Sequence, residues 1–463
     1  MKKRERAPRI QKVRREVTRG KRGDGNQKRH PVRRPDPSKI RVGRPDGTVS
    51  GVAGLVGFGV FLRGLGVDAE LGRRFGRLKS ARGVRYPMAT QLRMLMDAFA
   101  VGETRVFGLE ALASDPLFTH LAGSVILSID TVYDDLARFD DKALEELEEM
   151  MAVQGLVRVK ELRGPYVHLD IDTTVVPVFG RHEGAAPGPN PRYRGRPSYH
   201  PILARIAETG TIVGAQLRPG DTAFGADDVS IVKRFVHRAK AKLRKGTSLC
   251  VRVDSAGDCT AVLDALDEEQ VFYVVKATMA GRLPAAIAAA KDWKTIDIDA
   301  EGQPIRQVAE LDFVRDAWVK QSVRRRVIAV RSVERHGKQM TLDGSEWTLQ
   351  VFITNRADED ANDIAWDYDK RAGIEPLIAE CKGAWGIGHT SCYGLAANHV
   401  VFLLKMLASN LLDRYATEQF PTLPRWRTSW RRRTLLRIPG RLTRSARRWS
   451  LRLPPGSPLM RRE

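Results

Sequence analysis

The stretch Tyr166–Phe179, YVHLDIDTTVVPVF, constrains this chain more than any other. Its alternation has a period of two, which makes it a strand with Val167, Leu169 and Ile171 on one face and Asp170 and Asp172 on the other. Burying an unpaired carboxylate costs several kcal/mol. Such a strand must therefore run where a charge partner or a cation meets its second face.

The segments that follow fix the fold class. PSYHPILARI (197–206) and GTIVGAQLRPG (210–220) form a hairpin across Ala-Glu-Thr-Gly. DDVSIVKRFVHRAKAKL (227–243) has the 3.6-residue period of a helix. Strand SLCVRVD (248–254), helix CTAVLDALDEE (259–269) and buried strand VFYVVKA (271–277) come next. Strand, strand, strand, helix, strand, helix, strand is the element order of a ribonuclease-H-like α/β fold. The pieces TIDID, FVRDAWVKQSV, RRRVIAVRSVE and WTLQVFITN read as a separate β-rich insertion over 283–354. Helices are expected from about 368 to 385 and over 396–415, the second packing on the sheet. Residues 47–160 read as helical, with apolar spacing in 89–101, 105–114 and 129–153, and are either a DNA-binding domain or a plain packing domain. The expected architecture is thus α/β. A ribonuclease-H-like core (161–282 and 355–415) is interrupted by the insertion, preceded by the helical domain and flanked by a disordered basic arm (1–46) and an Arg-rich tail (416–463).

Charge supports that division. The chain of 463 residues carries a formal +23. Residues 1–46 hold 18 Lys/Arg against 5 acids, and 421–463 hold 13 Arg against one acid. The body between them has 47 basic and 49 acidic groups. Two polycationic ends on a near-neutral body suit a polyanion, nucleic acid before an anionic membrane. No apolar run reads as long enough to span a bilayer, and MKKRERAPRIQKVRREV lacks the apolar core of a signal peptide. Cys250, Cys259, Cys381 and Cys392 are too scattered for a disulfide framework or a zinc site, which fits a reducing cytoplasm. With no phosphate-binding glycine motif, a nucleotide cofactor is not expected.

Asp172, inside an apolar strand, and Asp254, closing another just before Ser-Ala-Gly, fall in neighbouring strands of one expected sheet. A strand-end Asp alone is most often a turn former. Two together favour a cation site, whose hard oxygen ligands suit Mg²⁺ or Mn²⁺. The third acid comes from 368–382: on one continuous helix Tyr368, Arg371, Glu375 and Lys382 share a stripe roughly 60° wide. Ile374, Leu377, Ile378, Cys381 and Trp385 form a separate apolar face, and Glu380 points elsewhere. Pro376 suits a first turn rather than a helix interior, so the helix alternatively starts near Gly373–Glu375 with Tyr368 and Arg371 on a preceding turn. Asp170 is a possible substitute or supporting acid, and His168 reads as structural.

With these residues in place the chain resembles bacterial insertion-sequence transposases of the Asp-Asp-Glu class. Tyr368-x2-Arg371-x3-Glu375-x6-Lys382 is similar to the Tyr-Arg-Glu-Lys signature of one large group, and LDIDTT and VRVDSAGD to its two Asp motifs. The resemblance spans roughly 160–415. It implies catalytic, metal-holding Asp172, Asp254 and Glu375 with two divalent ions, and phosphate-binding Tyr368, Arg371 and Lys382. It further implies cleavage at the inverted repeats ending an element, joining to target DNA, and a homodimer or larger assembly on double-stranded DNA. The expected setting is the bacterial cytoplasm at the nucleoid. Alternatives are an inactive or domesticated DNA-binding derivative and another ribonuclease-H-like nuclease such as a junction resolvase. A glycosidase with paired carboxylates is more distant, since it leaves two polycationic ends without a purpose.

Overall fold

The computed structural model describes residues 36–189, 194–320, 324–333, 347–424 and 427–461. The chain forms two units, Met1–Asp46 and Gly47–Glu463. In the first, a 3₁₀ turn Pro37–Lys39 is capped by the Asp36 carboxylate, which accepts from the Ser38 N–H at 3.0 Å. The rest of the basic arm expected over 1–46, residues 1–35, lies outside the described residues.

The second unit is mixed α/β around one large sheet. Its strands are β1 (Tyr166–Thr173), β2 (Ile202–Ile206), β3 (Thr211–Gln216), β4 (Ser248–Val253), β5 (Phe272–Lys276), β6 (Lys294–Ile298), β7 (Pro304–Leu311), β8 (Arg326–Val333) and β9 (Trp347–Thr354). Among the described residues they lie in the order β3-β2-β1-β4-β5-β9-β8-β7-β6. β1 to β3 are joined antiparallel, whereas β1–β4 and β4–β5 are parallel. The helices between them are α5 (Val229–Lys240) and α6 (Thr260–Glu268), the crossovers that parallel neighbours require.

The alternation of β1 is used as its sequence implies. Val167, Leu169 and Ile171 enter an apolar cluster with Val232, Phe235 and Leu263 of α5 and α6. Asp170 and Asp172 face the other side of the sheet. That side is covered by α7 (Ala361–Asp369), α8 (Ile374–Gly383) and the long α9 (Leu395–Gln419).

Two expectations need correction. Residues 283–354 do not form a sheet of their own: β6–β9 are an antiparallel meander whose last strand pairs with β5, so the sheet simply continues. An exposed edge at β5 carries unpaired N–H and C=O groups, and β9 satisfies them. Within this segment the described part of FVRDAWVKQSV, residues 313–320, is not a strand but carries a short helix, Asp316–Lys320, in which Trp318 is completely buried.

The helices before the sheet are α1 (Leu55–Gly64), α2 (Val67–Phe75), α3 (Met88–Val101) and α4 (Asp141–Leu156), with shorter pieces at Leu109–Leu112, Pro116–Leu121 and Ile129–Leu136. The periodic run 129–153 is broken at Ala137–Asp140. Ser128 caps the first helix of that pair, and Asp140 accepts from the Ala143 N–H at 2.7 Å to start α4. These helices share one apolar core with α8 and α9. By length and composition alone α9 is apolar enough to cross a membrane, contrary to the sequence expectation, but 83% of its apolar window is buried inside the protein. Its Asn410 reaches the sheet, donating to the Ile212 carbonyl at 2.7 Å and accepting from the Ile212 N–H at 3.1 Å.

The C-terminal segment is likewise more than a tail. After α9 comes a helical stretch Thr428–Leu436, then a hairpin of β10 (Gly440–Ser445) and β11 (Arg448–Arg452). β10 pairs antiparallel with Val49–Ser50, so both ends of the unit meet in a three-stranded sheet. Trp430 and Trp449 are exposed; Trp426 lies outside the described residues.

Candidate active site

Asp170 pairs with Arg252, and Ile171 with Val253, across the parallel β1–β4 ladder. One step further on stand Asp172 and Asp254, at the carboxyl ends of two adjacent parallel strands, the end where open α/β sheets place ligands. The Asp172 side chain is 13% exposed. Burial lifts its carboxyl to about 6; the Arg371 guanidinium opposes that lift and the neighbouring Asp254 adds to it. The Asp254 carboxylate also caps the turn Ser255–Gly257, accepting from the Ala256 N–H at 3.1 Å. It is thus both the turn former and one of the paired acids.

Tyr368 ends α7, Arg371 lies in a 3₁₀ link Lys370–Gly373, and α8 starts at Ile374. Of the two sequence readings, the second is realised: Pro376 falls in the first turn of α8. The single stripe is therefore divided over three short elements. Arg371 is buried, with Nη2 3.0 Å from the Ile171 carbonyl and 3.4 Å from Asp172 Oδ1. The Tyr368 ring packs on Phe352 at 4.4 Å between centroids, and its hydroxyl donates to the Val253 carbonyl at 3.3 Å. Burial raises that phenol well above its ordinary range, so it stays a neutral donor. Lys382 Nζ donates to the Val175 carbonyl, just beyond β1, at 3.0 Å. Glu375 is exposed in the first turn of α8, without a hydrogen-bond or ion-pair partner among the described residues. Ile374, Ile378, Cys381 and Trp385 are buried as the apolar face requires. Glu380 points away, accepting from the Thr428 N–H.

The structure therefore brings together Asp172, Asp254, Arg371 and Tyr368. Glu375 and Lys382 share α8, which packs against β1. Two hard carboxylates with one guanidinium opposite, and a third carboxylate free on the adjacent helix, fit a divalent cation by donor chemistry.

Sequence reasoning missed the ionic network beneath this site. Asp170 is fully buried and accepts from Arg205 at 2.9 and 3.1 Å and from Arg252 at 2.7 Å. Asp170 is accordingly committed to guanidiniums and is no substitute ligand. Asp367 of α7 joins Arg252, Arg356 (2.7 Å) and His168 (2.9 Å), and His168 also meets Glu208 at 2.6 Å. His168, Cys250 and Asp367 have donor atoms within 4.8 Å of one another. Arg356 lies 4.0 Å from the Cys250 sulfur as well as against Asp367, so guanidinium charge occupies the place of a cation. Gly373 belongs to this design: a Cβ there would stand 2.5 Å from Arg205 Nη2, so a side chain at 373 would displace the guanidinium from its present place under the start of α8. The available clue was charge inside apolar strands, Arg205 in PILARI and Arg252 in SLCVRV.

Burial alone would lower the His168 pKa; hydrogen bonds to Asp367, Cys250 and Glu208 overrule it and hold it at about 11. A folded-state value above 6.5 means stability that is complete below pH 6.5 and is lost as pH rises towards 11. Urea unfolding at pH 7, 9 and 10 is expected to show wild type losing stability with pH and His168→Gln starting lower by about 3 kcal/mol with a flatter profile. Parallel profiles would remove His168 from the network.

A family model described as transposase DDE domain group 1 matches residues 33–462. The chain belongs to this transposase family. The resemblance drawn from Asp172, Asp254 and the Tyr368–Lys382 signature thus holds at the level of the family. No curated protein matches. Among solved structures, a piggyBac transposase synaptic complex with hairpin DNA is 12% identical, with 82% of this chain and 79% of that chain covered and a TM-score of 0.42. The Mos1 mariner paired-end complex with Mn is 13% identical, with 46% and 74% covered and a TM-score of 0.15.

Proposed function

We propose that this DDE-family transposase cleaves DNA strands at the ends of an insertion sequence and joins them to target DNA, using Asp172, Asp254 and Glu375 on a ribonuclease-H-like core. The observation that carries the reading is the pairing of Asp172 and Asp254 at the ends of parallel β1 and β4, with α8 and Glu375 packed alongside. The order β3-β2-β1-β4-β5, antiparallel on one side of β1 and parallel on the other, supports the ribonuclease-H-like core. The β6–β9 meander is then an extension inserted before the glutamate.

Two divalent cations, Mg²⁺ or Mn²⁺, held by these three carboxylates would supply an activated attacking oxygen and a stabilised leaving oxygen. The first reaction adds water across a phosphodiester, leaving a 3′-hydroxyl and a 5′-phosphate. In the second that hydroxyl attacks a target phosphodiester, and the target's 3′-oxygen leaves with the proton. Arg371 keeps Asp172 charged and correctly turned, through its 3.4 Å approach. Arg371 and Lys382 also place positive charge where the scissile phosphate sits, and Tyr368 contributes a neutral hydroxyl and a packed ring. The helices of 47–160 are the proposed reader of the inverted repeats and the basic ends hold phosphates. Two element ends require at least a dimer on DNA, acting in the cytoplasm at the nucleoid.

The test is strand cleavage of a duplex carrying the inverted repeats that flank the gene, with Mg²⁺, Mn²⁺ or a chelator. Nicking at the repeat boundary that needs the cation is expected. Sequence-specific binding without cutting under every cation would move the protein to the DNA-binding derivative.

A further inference from the structure

The β10–β11 hairpin has two unlike faces. On one, Leu442 lies opposite Leu451 and packs with Ala53, Leu117 and Ile438, while Trp449 sits 4.4 Å from the His120 ring with Arg444 over it. That face fixes the hairpin to the body. Gly440 serves the same closure, since a Cβ there would stand 2.7 Å from that of Ala53. The other face, by the two-residue period, carries Arg441, Thr443 and Ser445 on β10 and Arg448, Ser450 and Arg452 on β11.

The charge on this second face is all of one sign. Arg441 stands directly opposite Arg452, and its Nε donates to Thr48 Oγ1 at 3.1 Å. Arg448 and Arg452 are exposed and make no ion pair among the described residues, and 440–461 contains no Asp or Glu. Ordinary solvated strand faces mix signs. Here three guanidiniums are interleaved with three hydroxyls on an anchored hairpin. Arg448 and Arg452 are about 13 Å apart along β11, the axial rise of roughly four base pairs.

We infer that this face is a phosphate-binding ribbon that docks on the backbone of duplex DNA, an inference that rests on the DNA reading above. Guanidinium and hydroxyl groups are the usual phosphate contacts, and they position a duplex without reading its sequence. The DNA phosphates supply counter-charge to Arg448 and Arg452.

The experiment compares full-length wild type, Arg448→Gln/Arg452→Gln and Arg452→Gln for binding to a 60-base-pair duplex across salt concentrations, alongside thermal unfolding. Each lost phosphate contact lowers the slope of log affinity against log salt by about 0.9. The double variant is expected to lose about 2 from that slope and at least about tenfold in affinity. Arg452→Gln is expected to lose about 1 while its unfolding midpoint stays level, because Arg452 is exposed and makes no ion pair among the described residues. Weaker binding with undiminished stability is a combination that a merely structural arginine does not produce. Should the double variant lose its unfolding transition, the single variant decides by the same slope and midpoint. Slopes equal to wild type overturn the ribbon and leave the transposase reading standing. A wild type that binds no duplex at low salt sinks both. Arginine-dependent binding to phosphatidylserine vesicles with unchanged duplex slopes would overturn the ribbon in favour of a membrane surface.

Discussion

Asp172→Asn and, separately, Glu375→Gln are expected to lower cation-dependent strand cleavage by about a thousandfold or more while duplex affinity stays within about twofold. Neither change alters a guanidinium or an ammonium, and those groups carry phosphate affinity. Each change removes one carboxylate from a set of three. The pH profile adds a second readout. Because the Asp172 carboxyl is held at about 6, chiefly by burial and further by Asp254 against the pull of Arg371, it must ionise before it can bind a cation. Wild-type cleavage is expected to fall roughly tenfold per pH unit below about 6 and to level off above it. Added cation should shift the midpoint down, since it competes with the proton for the same oxygen. Cleavage by Asp172→Asn within tenfold of wild type would place the chemistry elsewhere.

Much of this site was legible in the sequence because it depends on short-range periodicity. Parity alone put Asp172 on the face opposite Ile171, and the position of Asp254 at the end of an apolar run put it at a strand terminus. Pro376 marked the start of α8 within two residues. Pairings between distant segments left no such trace. Nothing local in WTLQVFITN says that it closes the edge of β5, since β-propensity reports a half-buried pleated surface and not its neighbour. FVRDAWVKQSV shows how a short β-branched, aromatic run misleads when Trp318 seeks a buried pocket instead of a pleat. The alternation RLTRS/RWSLR was present throughout, hidden by its arginine content, because arginines on both faces blur the apolar–polar pattern that usually reveals a strand.

The network under the active site turns a stability argument into a functional one. Asp170 is wholly buried, and so is Arg252; Arg205 is 7% exposed. Their mutual hydrogen bonds are satisfied only while the carboxylate is present. Removing one member of a buried ion pair leaves an uncompensated charge at a cost of about 3–5 kcal/mol. Asp170→Asn keeps the volume and leaves the Arg205 guanidinium without its carboxylate, beside an Arg252 that still holds Asp367, so a loss of that size in urea unfolding is expected. Adding Arg205→Gln to Asp170→Asn should recover at least about 1 kcal/mol, because the second change deletes a charge that has become a liability. The Arg205 guanidinium lies where a Gly373 side chain would be, directly beneath the start of α8. Freed from Asp170, the guanidinium is expected to press on that turn, which carries Glu375. Asp170→Asn should therefore also lower cleavage, with DNA affinity unchanged and partial recovery in the double variant. A metal-ligating Asp170 would behave otherwise: stability near wild type, cleavage lost, and no recovery on changing Arg205.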